Sequence, residues 1–474
     1  MKKDKIQVAK GIQPADIVLK GGTVLNVFSE EFIIADVAIV GDCIVGVGEY
    51  RGDREIDCSG KYITASFIDA HMHIESSMIT PLELAKKLVV KGTTTLIADP
   101  HEIVNVAGKV GLDYMLDAIE QPLVDIYLMM PSSVPAVDID TNGAGAFSVN
   151  NMKEYIDNDK ILGLGEVMRF YDVLNSEQAM LEKLRLFKGK HIDGHAPAIS
   201  TKEIAAYRSA GVLSDHECES AQEALEKLRA GYYVMIREGS GAHNLEAIIT
   251  GLLQENVSFE QCLFCTDDKH LKDIDEEGHI NHCVRKAILL GVPLITAYKM
   301  ASYYPAKAFG LRNVGAIGAG YKADLLVFSS LEEVQPEKIM KNGTWMDLEE
   351  IQSYCDNTKI TSALCNTISV KTITKKDLVV KKYTKNQVME LIPYSLLTKL
   401  RNEEVPGDAM FVANDTYAKL CVIERYGKTA GVSACPVKGF GIKGGAIASS
   451  VSHDAHNIVV IGDNDQDIIA AVAE

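Results

Sequence analysis

Eight short apolar runs recur between residues 66 and 267, and each is followed by a stretch of helical character. They lie at about 66–71, 93–99, 125–130, 161–167, 190–195, 212–216, 232–237 and 262–267. A strand that meets the next only after a helix must run parallel to it, and eight such units close into a (β/α)8 barrel. Start signals mark the helices. Thr80-Pro81-Leu82-Glu83 offers an N-cap, a first-position proline and a capping-box glutamate, and Gly92 ends that helix. Ser200 with Glu203 and Ser220 with Glu223 repeat the S-x-x-E box. The predicted class is α/β: a TIM-like barrel, a small β-sandwich built from both flanks, and an additional α+β C-terminal domain.

The expected limits are 1–64 and 313–345 for the two parts of the sandwich, 65–312 for the barrel and 346–474 for the C-terminal domain. Asp16–Leu19 and Val24–Leu25 flank Gly21-Gly22, and Ala38–Val40 and Ile44–Val47 flank Gly41-Asp42. Both read as hairpins. Ala323–Phe328 and Ile339–Gly343 supply the returning part. Residues 386–405 read as a helix, and Gly439–Gly445 as turns rather than a phosphate loop, because no GxGxxG opens a helix there.

Lys plus Arg number 48 against 65 Asp plus Glu, a net charge of −17, which argues against nucleic acid and anionic membrane as partners. The charged N-terminal stretch is not a signal peptide, and no apolar run approaches the roughly 18 residues that a membrane span needs. The ten cysteines are scattered. Cys262-Leu-Phe-Cys265 has no second pair to make a zinc ribbon, so buried free thiols and a reducing cytoplasm are expected.

In barrels of this kind the chemistry sits at the C-terminal ends of the strands. The first run ends in His71-Met-His73. Residues i and i+2 of a strand share a face, so two imidazoles there grip one metal ion together. Glu166 ends the fourth run, as a helix cap or as a carboxylate bridging two metals. His195 and His216 end the fifth and sixth, as ligands of a second metal. Asp267 and Asp268 end the eighth. Neighbours on a strand face opposite ways, and Asp267 is favoured as the ligand and proton carrier. His101, Glu102, Arg237 and Glu238, with Asp268, either face a substrate or form caps and ion pairs. His279 and His282 read as loop or pocket wall. For His453 and His456 a metal site, a lid and a surface loop stay open, with the surface loop as the default.

Long motifs then carry a resemblance. Phe67–Ser77, Gly92–Glu102 and Gly318–Asp324 resemble the amidohydrolase superfamily, and with Ile447–Asn457 they are similar to its bacterial adenine deaminase family. The resemblance implies a binuclear divalent centre, manganese or iron first and zinc next. It implies hydrolysis of adenine to hypoxanthine and ammonia by attack of metal-activated hydroxide at C6. His71, His73, Glu166, His195, His216 and Asp267 would be its ligands, with Glu166 and Asp267 also catalytic. The small-molecule substrate, water and a homo-oligomer are the expected partners. Ala65-Ser66 and Ala319-Gly320 replace the family's usual Pro-Gly turns. Family members usually continue past the point where this sequence stops, within a helical stretch at Asp467–Glu474, so a shortened last domain is expected. A cyclic-amide hydrolase of the dihydroorotase or hydantoinase kind is the alternative enzyme. Its relatives bridge their metals with a carbamylated lysine on strand four, where this chain has Glu166 and no lysine. A non-catalytic metal-binding relative is the other alternative.

Overall fold

The computed structural model describes residues 4–393 and 396–474. They divide into two compact units. The first comprises the chain up to Pro100, Met115–Ser132 and Met152–Thr358; the second comprises His101–Tyr114, Ser133–Asn151 and Lys359–Glu474.

The first unit holds the barrel. Its strands are β1 (Phe67–Met72), β2 (Thr93–Ala98), β3 (Asp125–Met130), β4 (Ile161–Val167), β5 (His191–Gly194), β6 (Ser214–Asp215), β7 (Tyr233–Arg237) and β8 (Cys262–Cys265). They pair in sequence order, and every pairing is parallel. Every residue of β1, β2 and β8 is buried. A parallel strand covered on both faces is a continuous apolar run, which is why these segments do not alternate in sequence. The ring closes past the end of β8: the Asp267 N–H donates to His71 O at 2.9 Å, and the His73 N–H to Asp267 O at 3.2 Å. The ladders of β5 and β6 are shorter than the apolar runs. They stop at Gly194 and Asp215, leaving His195 and His216 one residue beyond regular pairing.

Of the expected caps, Ser200 forms a full capping box with Glu203, and the Ser220 side chain accepts from Glu223 N. Thr80 stands at its N-cap position without a side-chain capping hydrogen bond, and the helix Pro81–Val89 starts on its proline instead.

A second eight-stranded sheet draws on both sequence flanks of the barrel. Tyr62–Ala65 pairs antiparallel with Leu325–Phe328, which joins the early strands to the late ones. Val18 and Leu19, neighbours on one strand, enter different apolar clusters. Gly41-Asp42 turns a tight hairpin between Glu31–Val40 and Cys43–Gly48. Gly21-Gly22 does not. Ala15–Asn26 is one strand, and the glycines form a bulge in it, with the register shifting between Leu19 and Gly22. Gly21 takes a φ of +62° there, and its N–H donates to Asp36 Oδ1 at 3.0 Å. That carboxylate satisfies the irregular backbone, so the chain bends without reversing.

At the N-terminal end of β3, Asp125 Oδ2 lies 2.7 Å from both Lys322 Nζ and Lys341 Nζ, and Lys341 also meets Asp324 Oδ2 at 2.7 Å. Burial would raise the Asp125 carboxyl, but Lys341 and Lys322 hold it below its ordinary range.

The second unit contains a six-stranded sheet in the order Thr398–Glu403, Asn386–Leu391, Val432–Lys438, Tyr417–Ile423, Ile458–Gly462, Ala446–Ser449. The helix expected over 386–405 is absent from the described residues. Asn386–Leu391 and Thr398–Glu403 form an antiparallel pair instead, and residues 394–395 lie outside the description. Pro393 breaks a helix, Val388 is buried beside Val405 and Phe411, and Glu390 meets Arg401 across the ladder at 2.5 Å. Gly439, Gly441 and Gly444 take positive φ in the turns before Ala446–Ser449. The helix Asp465–Ala473 buries Ile468 against Cys421, Ile423 and Val460.

All ten cysteines are free, and burial pushes the Cys262 and Cys265 thiols up, away from thiolate chemistry. Among the described residues no helix is long and apolar enough to cross a membrane.

Candidate active site

The end of β1 brings His71 Nε2 and His73 Nε2 to 3.2 Å, as two side chains on one strand face must be. Each ring has a partner behind it. His73 Nδ1 contacts Asp99 O at 2.9 Å, and His71 Nδ1 contacts Asp193 Oδ2 at 3.1 Å. Such backing fixes both the tautomer and the orientation of an imidazole ligand.

Glu166, near the end of β4, reaches between two groups of rings. Its Oε1 lies 3.2 Å from His73 Nε2, and its Oε2 lies 2.5 Å from His195 Nδ1 and 3.2 Å from His216 Nε2. Asp99 Oδ2 accepts the Glu166 N–H at 2.9 Å. A Cβ on Gly165 would come within 2.1 Å of that oxygen, so the strand end requires glycine there. Asp267 completes the ring, with Oδ1 3.1 Å from His73 Nε2 and 3.7 Å from His71 Nε2. It holds a φ of +57°, a strained choice for a residue other than glycine. The structure thus brings His71, His73, Glu166, His195, His216 and Asp267 together at one mouth of the barrel. Only His195 keeps real exposure, at 29% of its side chain.

Charge is crowded there. Burial alone would push the His71 imidazole down, yet Asp193 and Asp267 carry it up to about 10. Burial opposes a charge on His195 as well, and Glu217 and Glu166 raise it to about 9. Burial would raise the carboxyls of Glu166 and Asp267, but His195 holds the first, and His71 and His73 the second, well below the usual range. His216 is buried, and among the described residues neither of its ring nitrogens makes an aligned hydrogen bond. Nitrogen and carboxylate donors facing inward, one of them unsatisfied, fit divalent transition metals.

Two further residues stand at the mouth beside the expected His195 and His216. Asp193, inside the fifth run, backs His71 and accepts from Ser214 Oγ at 2.7 Å. Glu217 follows His216, lies 3.6 Å from the nearest nitrogens of His195 and His216, and pairs with Arg237. A carboxylate directly after a strand-end histidine was the available signal for Glu217. Asp193 had none, because it is buried in a run that otherwise reads as strand.

The remaining candidates divide. Arg237 is buried and occupied: its Nη1 lies 3.0 Å from Asp267 Oδ2 as well as against Glu217. Glu238 is met by His282 at 3.9 Å, Lys286 at 2.7 Å and His243 at 3.2 Å, and against the effect of burial these partners, His282 first, hold it down to about 2. Asp268 Oδ1 accepts from Ser76 Oγ at 2.5 Å. His279 is a buried link between Asp69, at 2.9 Å, and Thr93, at 3.0 Å, rather than loop or pocket wall. His101 and Glu102 belong to the second unit, where they open the helix His101–Ala107. His101 Nε2 lies 3.1 Å from Asp454 Oδ1, and Glu102 contacts both His453 and His456. The segment is a loop in which His453 is exposed and His456 is buried, so the surface-loop reading holds for the first and not for the second.

Residues 62–346 match the amidohydrolase family, and residues 395–474 match the adenine deaminase C-terminal domain. An adenine deaminase of Desulfitobacterium hafniense is 43% identical over 98% of this chain and 81% of its own length. The chain belongs to the amidohydrolase family, among its adenine deaminases. Adenine deaminase 2 of Carboxydothermus hydrogenoformans is 44% identical over 100% of this chain and 83% of its own. The β-aspartyl dipeptidase of Fervidobacterium islandicum, solved with a β-Asp-Leu dipeptide, superposes with a TM-score of 0.51 at 18% identity. It covers 69% of this chain and 96% of its own, a likeness of fold alone. Membership of the amidohydrolases implies a divalent metal site, and the barrel-mouth cluster has the donors for one.

Proposed function

We propose that the protein hydrolyses adenine to hypoxanthine and ammonia, with the barrel mouth as its catalytic centre. What carries this reading is the identity to adenine deaminases across nearly the whole chain, joined to a carboxylate that divides two sets of imidazoles. The strand-four position holds Glu166 and no lysine, so nothing favours the cyclic-amide alternative. The proposed boundaries are 1–64 and 313–345 for the flanking β domain, 65–312 for the barrel and 346–474 for the last domain.

His71, His73, Asp267 and Glu166 Oε1 would hold one ion, and Glu166 Oε2, His195 and His216 the other, with manganese or iron as the first choices and zinc next. When bound, such a pair supplies Lewis acidity and brings the pKa of water towards ~7. Asp267 takes the proton of the attacking water and gives it to the departing amine. The C6–O bond forms, the C6–N bond breaks, and ammonia leaves with that proton. Arg237 holds Asp267 Oδ2, which aims Oδ1 at the reacting side. His195, the exposed member, marks where substrate enters, and Asp268 with Ser76 offers polar contacts to a purine ring. Free cysteines suit a reducing cytoplasm, and a homo-oligomer is the proposed assembly.

The test is ammonia release by metal-loaded protein from a panel of purines, pyrimidines and cyclic amides. Turnover of adenine above the others is expected. Hydrolysis of a cyclic amide with adenine untouched would reject the proposal.

A further inference from the structure

The second unit carries a cluster that the proposed deamination does not use. Glu102 is buried, and its Oε1 is in contact with His453 Nδ1. Its Oε2 lies 3.4 Å from His456 Nε2. The His456 side chain is 7% exposed, and among the described residues its Nε2 makes no hydrogen bond. One ligand atom from each of the three residues lies within 4.8 Å of the others.

The cluster is built rather than incidental. The segment that carries both histidines is pinned from beneath by Arg425. Its Nη1 donates to Ser450 O at 3.0 Å and to His456 O at 3.1 Å, and its backbone N–H donates to Asn457 Oδ1 at 3.2 Å. Tyr426 donates its hydroxyl proton to Ala455 O. His456 sits at a φ of +54°, left-handed backbone that is strained for a residue other than glycine. The fold therefore holds a buried imidazole nitrogen, at some expense, facing a buried carboxylate and a second imidazole.

We propose that Glu102, His453 and His456 form a divalent transition-metal site of the second unit. Two imidazoles and one carboxylate select such ions over calcium or magnesium, which prefer all-oxygen cages. Three protein ligands leave coordination positions open, and the exposure of His453, 36% of its side chain, gives ions and water a way in. Ligation through Nε2 of His456 puts that ring's proton on Nδ1. The site then gives up the 3.2 Å contact from the Ser452 N–H, its one local cost. His101 and Asp454, paired at 3.1 Å, flank the ligands and help to set the loop.

This inference goes beyond the deamination reading and does not need it, because its readout is bound metal. Full-length protein is stripped of metal and equilibrated with Zn2+ by dialysis, in the wild type and in a His73→Ala background that disables the barrel mouth. Adding His453→Ala to either is expected to remove about one zinc equivalent per chain, and so is His456→Gln. The Co2+-loaded proteins should lose the corresponding share of visible absorption. His453 is exposed, so its replacement should leave the far-ultraviolet circular dichroism unchanged. Folded His453→Ala and His456→Gln proteins that bind as much zinc as their parents would overturn the site.

Discussion

The two ends of the barrel both bury charge, but they are finished differently. At the N-terminal end, Asp125 is met by Lys322 and Lys341, and Lys341 also by Asp324, so acids and bases satisfy one another. At the C-terminal end, Glu166, Asp193, Glu217 and Asp267 crowd around imidazoles, and among the described residues Arg237 is the cation seen in direct contact with two of them. The first arrangement is complete without a ligand. The second has the chemistry of a place kept for cations. A buried charge array whose partners are all protein belongs to stability, and one that is short of positive charge belongs to function.

The comparison breaks most sharply at His73. His73→Ala should lower adenine turnover by roughly 10³-fold or more, since several kcal/mol of Lewis-acid stabilisation goes with the ion. It should also lower the metal content, while unfolding stays cooperative. Asp267→Asn keeps the shape and removes the proton carrier. A fall in kcat of about 10²–10⁴-fold is expected, with KM little changed.

Asp125→Asn tests the other end. It leaves Lys322 without its carboxylate and Lys341 with only Asp324, so a loss of about 3 kcal/mol is expected in denaturant unfolding, with kcat unchanged. The sign of its pH dependence follows from its lowered carboxyl. The stabilisation is present above the unfolded value of about 3.9 and is lost as pH falls through the lower folded value. The gap between wild type and Asp125→Asn should therefore close in acid.

Chelation separates the ends again. Metal at a hundred times its dissociation constant should stabilise the wild type by about 2.7 kcal/mol for each site it fills. Asp125→Asn should keep most of that gain. His73→Ala should lose the part due to the barrel mouth, which thermal unfolding with and without metal will measure. The smallest effect sharpens the role of Arg237. Arg237→Lys keeps a charge but not the planar fork that spans Asp267 and Glu217, and kcat should fall by about tenfold without loss of metal.

The barrel was legible because its strands are largely buried on both faces, so most of them print an apolar run that ends in a polar residue, the third run, Asp125–Met130, being an exception. That end is also where the mouth lies, which is how His71, His73, Glu166, His195, His216 and Asp267 could be named from the chain alone. Asp193 was not legible, since nothing local tells a carboxylate pointing into the mouth from one buried within a strand. Gly21-Gly22 has the composition of a turn, and only the distant Asp36 makes it a bulge. Residues 386–405 misled because their strands are half exposed and lack a clean alternation, while their helix formers suggested the wrong period. The contact of Glu102 with His453 and His456 spans some 350 residues of sequence and leaves no local trace.

Anomalous diffraction from crystals of Mn2+-loaded protein tests the barrel mouth most directly. Two peaks are expected at the mouth, apart from any at the Glu102 site, one about 2.2 Å from each carboxylate oxygen of Glu166, the first shared with His71, His73 and Asp267 and the second with His195 and His216. A single peak at the mouth, or density that leaves Glu166 without a metal, would contradict the account.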